Sequence, residues 1–487
     1  MGAEIKNLEP KLVWDYFYQL TQQPRPSKKE EKAVAWFESV ARDLNLPLTK
    51  DKLGNLVITK PATPGMEDRQ AVVIQAHIDM VCEKNRDVEF DFDNDAINTW
   101  IDGDWVKAKG TTLGADNGIG LAMGLAVLAS DDIPHPRLEI LATLDEETGL
   151  TGAMELGTDL LKSDILINID TEDDHVFSIG CAGGINTIGN FPYKSENIIS
   201  SDYTFLEVGV KGMMGGHSGV EINEERANAA KLMVRMLLDL TSKFGIKVSE
   251  MESGNKHNAI PREGFATIAV KNSDVENVLK SISEFDETLK SEYSMIETNI
   301  EAFGGKSNES GSVMNSEDQM RILTAAMAVP HGIYRWSPDI EGLVQTSTNF
   351  AVIEKKADHV HILTSQRSSV HSEKMYWADQ IASVIKLAGG ELIQGDGYPS
   401  WEPNMNSPIL TTAKNIHKEM FGEDPVLEVI HAGLECGLVG EKYPNMDMLS
   451  FGPTIRMPHT PEEKVEIPTV MNSWNLLKGI LANIPVK

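Results

Sequence analysis

AVVIQAHID, residues 71–79, is an unbroken apolar run that ends on a histidine and an aspartate. Continuous rather than alternating apolar residues read as a strand buried on both faces, in a sheet covered by helices. Two further segments repeat the arrangement. LEILATLDEE (138–147) runs into Asp145, Glu146 and Glu147, and ILINID (165–170) runs into Asp170. In open α/β sheets, sites form at the carboxyl ends of the strands. Any one of these acids alone reads as a solvated loop residue. Three strand ends that each deliver a ligand-type side chain read as a site. Asp116, in GTTLGADNGIG (110–120), and His459, downstream of the strand-like 446–451, complete the set. Two imidazoles, three ligand carboxylates and one spare acid are the inventory of a two-metal hydrolase, whose paired ions activate a water and polarise a carbonyl together.

The neighbouring residues suit that chemistry. Asp79, two positions past His77, can reach back and orient the imidazole, as metal-bound histidines require. Glu146 and Glu147 are adjacent and would repel if both were free. One ligating a metal while the other holds a proton resolves the conflict. The glycines around Asp116 permit close backbone approach to metals. The same glycines do not form a phosphate loop, because the Lys-Ser/Thr ending and the GxGxxG spacing are both missing. His135, His175, His331 and His417 read as ordinary surface or satisfied core residues.

Composition sets the limits. A chain of 487 residues is expected to form two or three domains, and 41% apolar residues are enough for sizeable cores. Lys plus Arg number 44 against 73 Asp plus Glu, a net charge of −29. Such a surface repels phosphate backbones and anionic lipid, so neither nucleic acid nor membrane is an expected partner. MGAEIKNLEP has no signal-peptide core, Lys6 stands where a myristoylation motif wants Ser or Thr, and no apolar run is long enough to span a bilayer. Cys82, Cys181 and Cys436 read as reduced thiols of a cytoplasmic protein.

Strand and helix signals alternate through the first 185 residues or so. Helices are expected over Trp14–Leu20, Glu31–Leu44 and Gly118–Ala129, the last capped by Asp116 or Asn117. From about residue 187 the texture changes. Strand-like stretches (205–210, 265–270, 359–364) interleave with helices whose apolar stripes carry Ala229, Leu232, Met233, Met236, Leu237 and Leu240, or Val275, Val278, Leu279 and Ile282. A Gly/Ser/Asn stretch, Gly304 to Asn308, divides this region into two parts of similar size. After Tyr398-Pro399 the α/β texture returns, with a helix near 409–420, a strand over 446–451 and a final helix striped by Val470, Trp474, Leu477 and Leu481. The expected fold is α/β, a mixed, mostly parallel sheet sandwiched by helices. Residues 1–186 and 400–487 form its two parts, and 187–399 form a large inserted α+β lid, duplicated in architecture though no repeat shows in the letters. His459 can serve as a ligand only if the two outer segments make one domain.

At this point the residues resemble a known family. His77-Ile78-Asp79, Asp116, Glu146-Glu147, Asp170 and a late His459 look like the pattern of the di-zinc aminoacylase/carboxypeptidase/carnosinase superfamily. Ten blocks resemble its bacterial cytosolic Xaa-His (aminoacyl-histidine, peptidase D) dipeptidases: QAHIDMVCEK, GTTLGADNGIG, LDEETGLTGA, NIDTED, GGHSG, NKHNAIPREG, GLVQTSTNF, SQRSS, HAGLECG and FGPTIRMPHTPEE, in order from residue 75 to 463. The resemblance implies two zincs per chain, with Co2+ or Mn2+ as ions the same donors accept. Asp116 would bridge them, His77 and Asp170 would complete one site, and Glu147 and His459 the other. Asp79 would orient His77. Glu146 would be the general base that takes a proton from the shared water and passes it to the leaving amine. His217, in GGHSG, would stabilise the oxyanion, and Asn258 and Arg367 would hold the substrate, the latter by its terminal carboxylate. Glu435, in HAGLECG, is a further candidate, for the substrate's amino terminus or its imidazole.

The implied activity is hydrolysis of unblocked dipeptides, Xaa-His foremost. An amidohydrolase acting on N-acyl amino acids and a non-catalytic metal-binding protein are the alternatives. Simpler members of the superfamily have a lid about half as large and dimerise through it. Here 187–399 leaves room for a second half that imitates the partner, so a homodimer, and whether His217 acts within its own chain, stay open.

Overall fold

The computed structural model describes residues 2–307, 312–338 and 340–487. The chain divides into two compact units. One comprises Met1–Gly180, Pro403–Val429 and Leu434–Lys487; the other comprises Cys181–Glu402 and Ile430–Gly433. The insertion thus begins six residues before the expected 187 and ends three after 399, because the strand Gly183–Pro192 belongs to its sheet.

The first unit is built on an eight-stranded sheet. Its strands are β1 (Leu48–Lys50), β2 (Leu56–Lys60), β3 (Val72–His77), β4 (Leu138–Thr143), β5 (Ile165–Asn168), β6 (Val176–Cys181), β7 (Val426–Ile430) and β8 (Asp447–Ser450), in the order β1-β2-β4-β3-β5-β8-β6-β7. The four central strands β4, β3, β5 and β8 run parallel, whereas β1, β2 and β6 pair antiparallel. Every residue of β3, β4 and β5 is buried, which explains their continuous apolar lettering. Parallel order makes their carboxyl ends a single edge. His77 is the last residue of β3, Glu146 and Glu147 follow β4, Asp170 follows β5, and the chain beyond β8 leads to His459.

Helix α1 (Lys11–Thr21) packs on α3 (Ala115–Ala129), with α2 (Glu31–Asp43) between them in sequence. Helix α3 is buried along almost its whole length, and its Ala/Gly/Leu/Met composition follows from that. The expected cap fails at its start. Asp116 has non-helical dihedrals (φ −78°, ψ 112°) and turns its carboxylate away to two histidines, while the Asn117 amide has no hydrogen-bond partner among the described residues. A four-stranded antiparallel sheet (Ile455–Arg456, Lys464–Glu466, Trp105–Ala108, Thr99–Asp102) holds the hairpin on which His459 sits.

The second unit carries a nine-stranded antiparallel sheet made of two β-α-β-β-α-β modules. One uses strands Tyr203–Lys211, Lys247–Ser253, Gly264–Lys271 and Glu301–Lys306 with helices Ala229–Phe244 and Val275–Glu292. The other uses strands Gly183–Pro192, Val344–Lys355, His359–Ser368 and Glu391–Gln394 with helices Ser316–Ala328 and His371–Leu387, and Gly332–Trp336 adds a ninth strand. Numbered within each module, the strand order is 4-1-3-2 followed by 2-3-1-4. The modules therefore meet edge to edge through their second strands, at Glu252↔Glu354 and Ser253↔Ile353. The glycine stretch expected to divide them is the end of a strand, and its last residue, Asn308, lies outside the described residues.

Candidate metal centre

Asp116 faces both histidines. Its Oδ1 lies 3.0 Å from His77 Nε2, and its Oδ2 lies 3.1 Å from His459 Nε2. Asp170 Oδ1 stands 3.8 Å from the same His77 nitrogen, and Glu147 Oε2 stands 3.1 Å from His459 Nε2. Five side chains from five segments thus form two half-sites that share one aspartate, His77–Asp116–Asp170 and Asp116–Glu147–His459, with the ligand atoms of each within 4.8 Å of one another.

The donor set fits a pair of divalent cations. It is all nitrogen and oxygen, and Glu147 Oε1 is buried with no hydrogen-bond partner among the described residues. The electrostatics call for positive charge at both places. Burial opposes a charge on His77, yet its contacts with Asp116 and Asp79 hold its pKa well above the ordinary value. Contacts with Asp116 and Glu147 push His459 up to about 11. Protons and metal ions compete for such a nest of acids. Burial raises Asp170, whereas the two histidines hold Asp116 low despite its burial.

Around the ligands, one acid does two jobs. Asp79 Oδ1 lies 3.4 Å from His77 Nδ1 and accepts the Glu146 N–H at 3.1 Å, while its Oδ2 accepts from Glu147 N at 3.3 Å and Ser27 Oγ at 2.7 Å. Burial works against its charge, but these partners bring its pKa down to about 2. A single carboxylate therefore orients a ligand imidazole and fixes the backbone of the glutamate pair. Glu146 reaches the same nest, its carboxyl grouped with His77 and Glu147. Burial, helped by Asp170, Glu435 and Glu147 and opposed by His77, holds it well above the usual carboxylate range. A second acid cluster, Glu30–Asp79–Asp145, is satisfied by protein donors instead: the N–H groups of Lys28 and Asp145 for Glu30, and the hydroxyls of Thr148 and Thr151 for Asp145.

The remaining candidates divide between the two units. Glu435 lies in the same unit as the candidate metal ligands. It is fully buried at the start of helix Glu435–Lys442, where its Oε2 accepts from Gln75 Nε2 (2.5 Å) and Thr143 Oγ1 (2.9 Å). Burial lifts it to about 7, and its Oε1 has no partner among the described residues. His217, Asn258 and Arg367 lie in the other unit. His217 and Asn258 line a cavity of about 700 Å³ with Met214, Lys256 and Arg262. His217 Nδ1 accepts from the N–H groups of Gly219 and Val220, both at 3.2 Å, which leaves the ring proton on Nε2. Burial, then Arg367, lowers its pKa, so the ring is a neutral donor. Arg367 is buried, with Nη1 on Tyr398 Oη at 2.8 Å and Nε unpartnered among the described residues.

Four residues escaped sequence reading. Glu463 accepts from the backbone of the Asp116 loop. Arg25, in a plain QPRPS stretch, is buried against the carbonyls of Ile78, Asp79 and Gly114. Its guanidinium fills the room that Gly114 and Gly118 leave, so those glycines make space for an arginine. Glu172, lifted to about 8 by burial and then by Asp116, and His431, bonded to Ser347 Oγ at 2.7 Å, complete the four. For Glu463 the available signal was its place four residues after His459, and for Glu172 its place two after Asp170; Arg25 and His431 gave none.

Comparison with known proteins shows the family. The family model described as "Peptidase dimerisation domain" matches residues 208–296, within the first module of the second unit. The chain is 40% identical over 486 residues to the cytosol non-specific dipeptidase of Escherichia coli (strain K12), with 100% of each covered. It superposes on the crystal structure of the aminoacylhistidine dipeptidase from Vibrio alginolyticus with a TM-score of 0.94 at 42% identity, covering 99% of both chains. An aminopeptidase from Bacillus cereus shares the fold at 15% identity, with a TM-score of 0.57 and 98% of this chain covered. With its metal-ligand nest and full-length likeness to two dipeptidases, the chain belongs to the M20 peptidase family, in the dipeptidase group that these relatives represent.

Proposed function

We propose that the chain hydrolyses unblocked dipeptides, Xaa-His compounds of the carnosine type foremost, with two Zn2+ ions held by His77, Asp116, Asp170, Glu147 and His459. The observation that carries this reading is the division of Asp116, one oxygen to each half-site. Nitrogen and oxygen donors suit Zn2+, and Co2+ or Mn2+ fit the same set. Bound there, the paired ions would polarise the scissile carbonyl and acidify the attacking water.

The protein's own groups do the rest. Glu146 takes the water's proton and hands it to the leaving amine, a task that suits a carboxyl lifted above its usual range. His217, a neutral Nε2–H donor, supports the developing oxyanion. Arg367 has a buried N–H to spare and holds the substrate's terminal carboxylate, beside Asn258. Glu435 Oε1 accepts from the free ammonium group. We assign His217 to its own chain, because the second-strand edge of the first module is already paired with the second module; a homodimer would then use another surface. The cytosolic relative supports a cytoplasmic setting, and among the described residues no helix is long and apolar enough to cross a membrane.

The test is a rate survey with defined metals over β-alanyl-histidine, dipeptides of varied second residue, and N-acetyl-histidine. Unblocked substrates should be cleaved and the acetylated one spared. Preference for N-acetyl-histidine would move the assignment to N-acyl amino acid hydrolysis.

A further inference from the structure

The loop that carries Asp116 is held from both sides by residues with no assigned role. Gly114 has φ +70°, and the backbone from Leu113 to Asp116 turns four successive N–H groups toward one point. Such a concavity of amides binds anions. Here the anion is the buried carboxylate of Glu463. Its Oε2 accepts from Leu113 N (2.7 Å) and Gly114 N (2.9 Å), and its Oε1 accepts from Ala115 N (2.7 Å) and Asp116 N (3.3 Å). From the other side the buried Arg25 guanidinium donates Nη2 to Gly114 O and Nη1 to Ile78 O (2.9 Å) and Asp79 O (2.7 Å). Glu463 lies on the same hairpin as His459, four residues on. One carboxylate therefore ties the segment that supplies His459 to the loop that supplies the shared ligand, and one guanidinium ties that loop to the turn after His77.

We infer that Glu463, backed by Arg25, is a positioning residue that sets the Asp116 carboxylate between the two half-sites, so that paired metal binding depends on it. The inference rests on the metal reading proposed above. The alternative is an acid that merely stabilises a turn, and the two differ in what they move. A structural acid lowers stability and leaves metal affinity alone. A positioning acid changes affinity and ligand geometry, and the loss of an outer partner of a metal ligand typically weakens binding about 10–100-fold.

The experiment titrates Co2+ into metal-free full-length protein, reading the visible absorption bands and the dissociation constants by chelator competition, with circular dichroism as the check on folding. Glu463→Gln keeps the shape but presents an amide NH2 to two of the four N–H groups. It should raise the dissociation constant about 10–100-fold and shift the bands. Glu463→Asp keeps the charge with a shorter reach and should fall between, whereas Glu462→Gln, at an exposed neighbour, should match wild type. A folded Glu463→Gln protein with wild-type affinity and spectrum overturns the inference, even if it melts earlier. Should that variant not fold, Glu463→Asp decides in the same way. If wild-type protein binds no Co2+, the metal reading itself falls and takes this inference with it; a wild-type pair with an unaffected variant removes this inference alone.

Discussion

Glu146 and Glu147 are adjacent in sequence and alike in chemistry, and their surroundings separate them. Glu147 Oε2 faces His459, while Glu146 is raised by burial and stays near His77. Glu146→Gln should therefore keep the wild-type metal content, by elemental analysis, while kcat falls about 10²–10⁴-fold; near-normal turnover would refute its role as base. Gly114 illustrates the backbone side of the site. An added Cβ would meet Arg25 Nη2 at 2.3 Å on a residue whose φ is +70°. Gly114→Ala should cost about 1–3 kcal/mol in urea unfolding, and a neutral result would mean that the loop yields freely. The candidate ligands His77, Glu147 and Asp170 were legible because each stands at or just after the end of a buried strand. Glu463 and Arg25 were not, because an acid in a polar turn and an arginine between prolines have the same letters whether solvated or buried.

Strands β3, β5 and β8 are joined through polar side chains as well as through backbone. Asn168 Nδ2 donates to Gln75 Oε1 at 2.6 Å, and Ser450 Oγ donates to Asn168 Oδ1 at 2.5 Å. The chain continues from Gln75 and Thr143 to Glu435, and from Ser450 to Thr171 and Ser178. It crosses the parallel strands close to the edge that carries the ligands. Asn168→Ala would strand two buried groups, and an unmade buried hydrogen bond costs about 1–3 kcal/mol per group. Equilibrium denaturation should show a loss of about 2–4 kcal/mol, and a change under 0.5 would show the chain to be dispensable. Strand positions were readable from apolar runs, and helices such as Ala229–Phe244 from their stripes. The strand Gly183–Pro192 was missed because seven of its ten letters are Gly, Asn, Thr or Pro, and its place is fixed by pairing with His359–Ser368. The two-module design of the second unit left no repeat in the letters, because topology needs only a pattern of polarity and not a residue.

At the scale of the whole molecule, protons and metal ions both act on stability. Burial, aided by Arg367 and His217, pushes His431 down to about 3, against an unfolded value near 6.5. Between those limits the unfolded chain binds the extra proton, so stability from this group is full above pH 6.5 and is lost as pH falls toward 3. The slope is about 1.4 kcal/mol per pH unit. His431→Gln should flatten the acid limb of a stability profile by one proton; an unchanged slope would show that His431 is not buried neutral. Metal held by the folded nest and not by the unfolded chain would add about 4 kcal/mol at a thousandfold excess over its Kd, and chelation should lower the melting temperature. Equal melting curves with and without chelator would contradict the centre.

The sequence by itself determined the candidate ligand types, the attachment of His77, Glu147 and Asp170 to strand ends and the α/β class, because each depends on local periodicity and on residue chemistry at a known offset. Only the tertiary structure decided that Asp116 divides its oxygens between His77 and His459, that Glu463 and Arg25 hold its loop, and that two modules share one sheet. Those depend on contacts between segments as many as 350 positions apart. No local pattern encodes them, since they follow from how parallel strands, a hairpin and a buried guanidinium come to occupy the same small volume.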